Sequence, residues 1–109
     1  YLDTDDKLFH DHLGMIASEF GDKDWVYFND YLAMDAALTM RERKTEVKFG
    51  SIGTSCIAHR SHLAIQWDDG YSHDWQFVQK LYNRYTNAMK IRATGYLVCH
   101  LPGEGCADF

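Results

Sequence analysis

Between Ser72 and Gly95 the apolar residues Phe77, Val78, Leu81, Tyr82, Tyr85, Ala88 and Met89 recur at three- and four-residue steps. That spacing stacks side chains on one face of an α-helix. Ser72 is a good N-cap, Asp74 complements the positive end of the helix dipole, Lys90 and Arg92 suit the negative end, and Gly95 fits a left-handed stop. The pattern predicts a helix from Ser72 to about Arg92. A stripe this continuous must lie on a second apolar surface, so the rest of the chain has to provide one.

Upstream, Leu8, Phe9, His12, Leu13, Ile16 and Phe20 repeat the helical spacing behind Thr4, Asp5 and Asp6, and Gly21 follows. A first helix is expected over 5–20. The stretch from Trp25 to Met40 is apolar around most of a helical circumference, and Asp22 or Asp24 can cap it. It predicts a second, central helix closed by Arg41, Arg43 and Lys44. After Lys44 the period drops to two. Thr45, Val47 and Phe49 alternate with Glu46 and Lys48, and Gly50-Ser51-Ile52-Gly53-Thr54 reads as a turn. Strands are expected over 45–49, 55–59 and 62–67, and Asp68-Asp69-Gly70 stops the last. The unbroken apolar run Tyr96-Leu97-Val98-Cys99-His100-Leu101 reads as a two-sided central strand ended by Pro102. The order α-α-β-β-β-α-β predicts an α+β, two-layer domain over 1–109, with three helices on one face of a small, mainly antiparallel sheet and an irregular tail over 102–109.

Sixteen aromatic residues in 109 (three Trp, seven Tyr, six Phe) give a chain of this size the bulk for a dense core. No apolar run reaches the roughly 18–20 residues that cross a bilayer. The acidic start Tyr1-Leu2-Asp3-Thr4-Asp5-Asp6 is unlike a signal peptide, so a cytoplasmic protein is expected. The three cysteines, Cys56, Cys99 and Cys106, are then read as reduced thiols; a Cys99–Cys106 bridge is the oxidised alternative.

Motifs for catalysis are thin. Cys56, His59 and His62 have usable zinc-pair spacings, but on a strand Cys56 and His59 point to opposite faces, and the fourth ligand would have to come from Cys99, His100 or Cys106. The run Asp68, Asp69, His73, Asp74 offers carboxylates beside an imidazole, yet a turn and a helix start explain the same residues. His10 and His12 fall about 200° apart on a helix and cannot share a ligand. Gly50 and Gly53 suit a hairpin better than a phosphate loop. A metal-dependent hydrolase or transferase built on His and Asp residues near 56–74 is the enzyme alternative. No cofactor and no catalytic residue is assigned.

Charge is distributed unevenly. Residues 1–40 hold nine acids against two bases, and residues 41–94 hold nine bases against five acids, within a net charge of −5. Arg41, Arg43, Lys44, Lys48, Lys80, Arg84 and Arg92 raise direct nucleic-acid binding as a further alternative, although the sequence pI of about 5.6 opposes it. The acidic leading part also carries Tyr27 and Tyr31, and aromatic rings ringed by charge suit a protein-binding surface. Asp5, Asp6, Asp24, Tyr27, Asp30, Tyr31 and Asp35 are therefore the expected contact residues of a non-catalytic module for a partner with a basic surface. Proteins that handle nucleic acid carry such surfaces. In kind, though by no motif, the chain is similar to the compact acidic inhibitors that phages and mobile elements use against host defence complexes, anti-CRISPR proteins among them. That likeness implies carboxylates standing in for phosphates. No membrane partner is expected, and a homodimer is the competing use of the same tyrosines.

Overall fold

The computed structural model describes residues 1–2, 6–35, 37, 39–66, 73–93 and 95–99, and within them the expected second helix is replaced by strands. Trp25–Tyr27 is β2 and Asp30–Ala33 is β3, and the chain turns at Asp35 into β4 (Met40–Arg43). Tryptophan, tyrosine, phenylalanine and valine fit a pleated surface well. An all-round apolar pattern suits a strand buried on both faces as readily as a buried helix. Here the partners decide. β2 lies between β5 (Ile57–His59), which runs antiparallel to it, and β6 (Ala88–Lys90), which runs parallel. β3 lies between β4 (antiparallel) and β7 (Tyr96–Val98, parallel), and β1 (Lys7–Leu8) closes the far side of β7.

The fold is α+β, but with two helices and seven strands in two mixed sheets among the described residues, not three helices on one antiparallel sheet in the order α-α-β-β-β-α-β. Helix α1 spans His12–Phe20, later than the expected start, and Asp5 lies outside the described residues. Helix α2 spans His73–Arg84. Residues 45–49 and 62–66 are in no strand, and a 3-10 turn (Thr54–Cys56) leads into β5. The tail over 102–109 lies outside the described residues.

The helices also do not share a face. Trp25, Ile57, Phe77, Val78 and Leu81 form one core with Ile52, Cys56 and Leu63, which seats α2 on one side of the β5-β2-β6 sheet. Val26, Phe28, Ile91 and Ala93 form the second, packed against Met15, Ile16 and Phe20 of α1 on the other side. Neighbouring residues of β2 thus point to different cores, as strand alternation requires. Burying each large side chain contributes about 1.5–3 kcal/mol.

Helix ends are set by side chains distant in sequence. The Trp25 indole Nε1–H donates to the Tyr85 carbonyl at 2.8 Å, so Ala88 and Met89 leave the stripe and form β6. At the end of α1, the Arg60 guanidinium donates to the Gly21 and Lys23 carbonyls, both at 2.8 Å, and lies 4.9 Å above the Phe20 ring. Gly21 takes φ +58°, where a side chain would be strained.

Two chain segments join the sheets. Residues 25–33 pass from β2 into β3, and residues 88–98 pass alongside them from β6 into β7. Trp25 faces Ala88 in one sheet and Tyr31 faces Leu97 in the other, so the second segment carries three more residues between these pairings. The extra length holds Ile91 and Ala93, both buried against Val26 and Phe28. β7 is buried on both faces, as its unbroken apolar run demands.

Candidate functional site

A buried polar cluster is built on Asp30, which is 1% exposed at the start of β3. Its register partner on β4 is Arg43. Arg43 Nε donates to Oδ1 at 2.9 Å and Nη2 donates to Oδ2 at 2.6 Å, the forked geometry that matches guanidinium to carboxylate. From the 3-10 turn, Ser55 Oγ donates to Oδ2 at 2.7 Å and the Cys56 thiol donates to the same oxygen at 3.3 Å. Thr45 is buried beside them, its N–H donating to Asn29 Oδ1 and its carbonyl accepting Lys90 Nζ.

The electrostatics are those of a clamp. Burial pushes the Cys56 thiol above its ordinary pKa, and the Asp30 carboxylate pushes it the same way. The thiol therefore stays protonated and serves as a donor, whereas a nucleophilic cysteine needs the opposite shift. Burial disfavours the charge on Arg43, but the hydrogen bonds and charge of Asp30 outweigh it and hold its pKa above the ordinary value. The cluster ties β3, β4 and the 3-10 turn together, and its carboxylate is sealed from solvent.

Of the seven expected contact residues, Asp5 lies outside the described residues, and the other six are spread over different parts of the fold. Asp6 accepts the Tyr96 hydroxyl at 2.7 Å and the Cys99 N–H at 2.9 Å. Asp24 is half-buried before β2, and its backbone bridges Asn87 and Arg60. Tyr27 is half-buried with its ring 5.7 Å from Trp25. Asp30 is interior, not at a rim, because Arg43 lies opposite it. Tyr31 is half-buried, 6.3 Å from the Phe9 ring, and shares the β3–β4 hairpin with Asp35. The exposed Asp35 accepts the Ala37 and Thr39 N–H groups at 3.0 and 3.1 Å, and the Thr39 hydrogen bonds lower its pKa. Tyr31 and Asp35 thus lie along the β3–β4 hairpin, whereas Tyr27 is in β2 of the other sheet and Asp24 just precedes it.

Sequence reasoning missed what surrounds Tyr31. Tyr31 pairs with Glu42 and Ala33 pairs with Met40 across the hairpin, so Tyr31, Met40 and Glu42 share one face. Arg41 and Arg43 pair with Leu32 and Asp30 and take the opposite face. Met34 and Met40 are exposed at the hairpin's far end.

The alternative chemistries are placed as follows. Cys56 faces Asp30, His59 accepts the Tyr1 hydroxyl on Nε2 at 2.7 Å while its Nδ1–H donates to the Arg60 carbonyl, and His62 is exposed. Among the described residues no group of three or more His, Cys, Asp or Glu side chains is arranged to hold a metal ion. Asp68 and Asp69 lie outside the described residues. Of the basic residues, Lys44 and Lys48 flank Glu46, Lys80 donates to the Gln66 carbonyl, and Arg84 donates to the Ala64 carbonyl. Among the described residues no helix is long and apolar enough to cross a membrane. No protein-family model, curated protein or solved structure matches the chain.

Proposed function

We propose that this chain is a non-catalytic protein-binding module whose β3–β4 hairpin docks, through its Tyr31 face, on a basic surface of another protein. The observation that supports the reading is the sorting of side chains by strand alternation: Tyr31, Met40 and Glu42 on one side, Arg41 and Arg43 on the other. Aromatic and methionine side chains are the residue types enriched at interfaces, and carboxylates beside them steer a cationic partner. Asp35 at the turn adds to that charge. In the finer reading the partner belongs to a nucleic-acid-handling complex in the cytoplasm, and the carboxylates occupy positions meant for phosphates, as an inhibitor of the anti-defence kind would.

The test compares proteins retained from the source cells by the native chain and by Tyr31→Ala/Glu42→Lys. A partner retained by the native chain is then purified for titration, whether or not the variant also retains it. Its affinity should fall roughly tenfold or more on Tyr31→Ala, and should weaken as ionic strength rises. Binding indifferent to both the substitutions and salt would overturn the reading. Sedimentation of the chain alone distinguishes a homodimer that buries the same face.

A further inference from the structure

His12 opens α1 and is 2% exposed, packed edge-on against the Phe28 ring at 5.1 Å and the Tyr96 ring at 6.4 Å. Its Nδ1 accepts the backbone N–H of Gly95 at 3.0 Å. A backbone N–H can only donate, so Nδ1 must carry a lone pair and the ring is the neutral, Nε2-protonated form. The Gly95 carbonyl, in turn, accepts the Phe9 N–H at 2.7 Å. Gly95 is therefore gripped on both sides by the turn that joins β1 to α1. The contact is close enough that a side chain on residue 95 would fall 2.4 Å from His12 Cβ, which explains the glycine.

We propose that His12 is a proton-operated latch: protonating its ring puts an N–H against the Gly95 N–H, opens that grip, and releases β1 and the start of α1 from β7. Two like donors facing each other in a buried site cannot both be satisfied. The charged groups around the ring do little to compensate. Asp11, on the same turn, favours the charged ring but is exposed, and the amino group at Tyr1 disfavours it. From β7, Tyr96 directs its hydroxyl to Asp6. Phe28 brings no charge, and Asp30 beyond it is held by Arg43. Glu19, at the far end of α1, accepts the Arg92 N–H.

Burial is the largest influence and holds the folded-state pKa of His12 below its ordinary value. The unfolded ring binds a proton near pH 6.5, about the free imidazole value, so the grip is intact above that pH. It weakens as pH falls toward the lowered folded value.

The experiment follows amide hydrogen exchange and the His12 ring nitrogens by NMR on the chain 1–109, from about pH 7.5 to 4.5, over the range where histidines titrate. Below about pH 6 the Gly95 and Phe9 amides should lose up to about tenfold protection per pH unit, after correction for intrinsic exchange, while Val26 and Val78 stay protected. In His12→Asn, whose side-chain oxygen accepts a hydrogen bond without titrating, Gly95 protection should be flat across the range. If that variant fails to fold, coincident midpoints for the native ring and the Gly95 amide carry the inference. Gly95 protection unchanged to pH 4.5, its loss in step with Val26, or a ring that protonates while Gly95 remains protected would each overturn it.

Discussion

Asp30 accepts four donors, two from Arg43 and one each from Ser55 and Cys56, with three of them on Oδ2. Asp30→Asn keeps the volume but turns a donor toward Arg43. Removing one partner of a buried ion pair costs about 3–5 kcal/mol, and because Arg43 keeps part of its side chain in solvent the lower end is expected, read as a drop in the urea midpoint. Cys56 gives a pH-dependent counterpart. Its folded pKa is raised, so the folded state keeps a proton that the unfolded chain releases above about pH 8.5. Stability should therefore fall as pH rises past that value, and Cys56→Ala should flatten this part of the profile. At this scale the sequence was legible in type and not in pairing. It marks Asp30 as an acid on an aromatic stretch. Nothing in the linear pattern says that Arg43 will lie opposite it or that a serine and a thiol will cover it.

At the level of elements, the capping contacts carry the predictions. Arg60→Ala removes two hydrogen bonds from the end of α1 and the cation above Phe20. Typical values for such contacts lead to a loss of about 1–2 kcal/mol. Exchange should speed up first in the last turn of α1. Trp25→Phe keeps most of the packing but frees the Tyr85 carbonyl, and should cost about 1 kcal/mol or more in the same urea assay. These contacts also explain which elements were readable. Helix α2 was legible because its stripe of Phe77, Val78 and Leu81 is a local property that survives tertiary packing. The strands at 25–33 were not, because an apolar run buried on every side has no period of its own and takes its conformation from neighbours at 57–59, 88–90 and 96–98. The end of α2 was misread for a related reason: Ala88 and Met89 fit the stripe, and the helix is closed before them by contacts distant in sequence, the Trp25 indole on the Tyr85 carbonyl and the Asp24 N–H on the Asn87 carbonyl.

For the whole molecule, the β3–β4 hairpin forms one outer edge of the four-stranded sheet. The β4 strand is an edge of its sheet, and Arg41, Glu42 and Arg43 stand along it. Charged side chains on an edge discourage further strand pairing. Across the β3–β4 hairpin, Tyr31, Met40 and Glu42 take one face and Asp30, Arg41 and Arg43 take the other. The docking face proposed above is narrower than the acidic third of the chain.

The paired segments 25–33 and 88–98 have a further consequence for how the chain acquires its shape during synthesis. Each early strand has its parallel neighbour more than sixty positions later, so neither sheet can be completed while that neighbour is still inside the ribosome. A fragment ending at residue 87 would hold both described helices yet lack β6 and β7, and its circular dichroism should be that of a largely unfolded chain. Adding residues 88–109 as a separate peptide should restore the ordered spectrum in a concentration-dependent way. Assembly of these two sheets is thus a long-range event, slow by the standards of helical bundles.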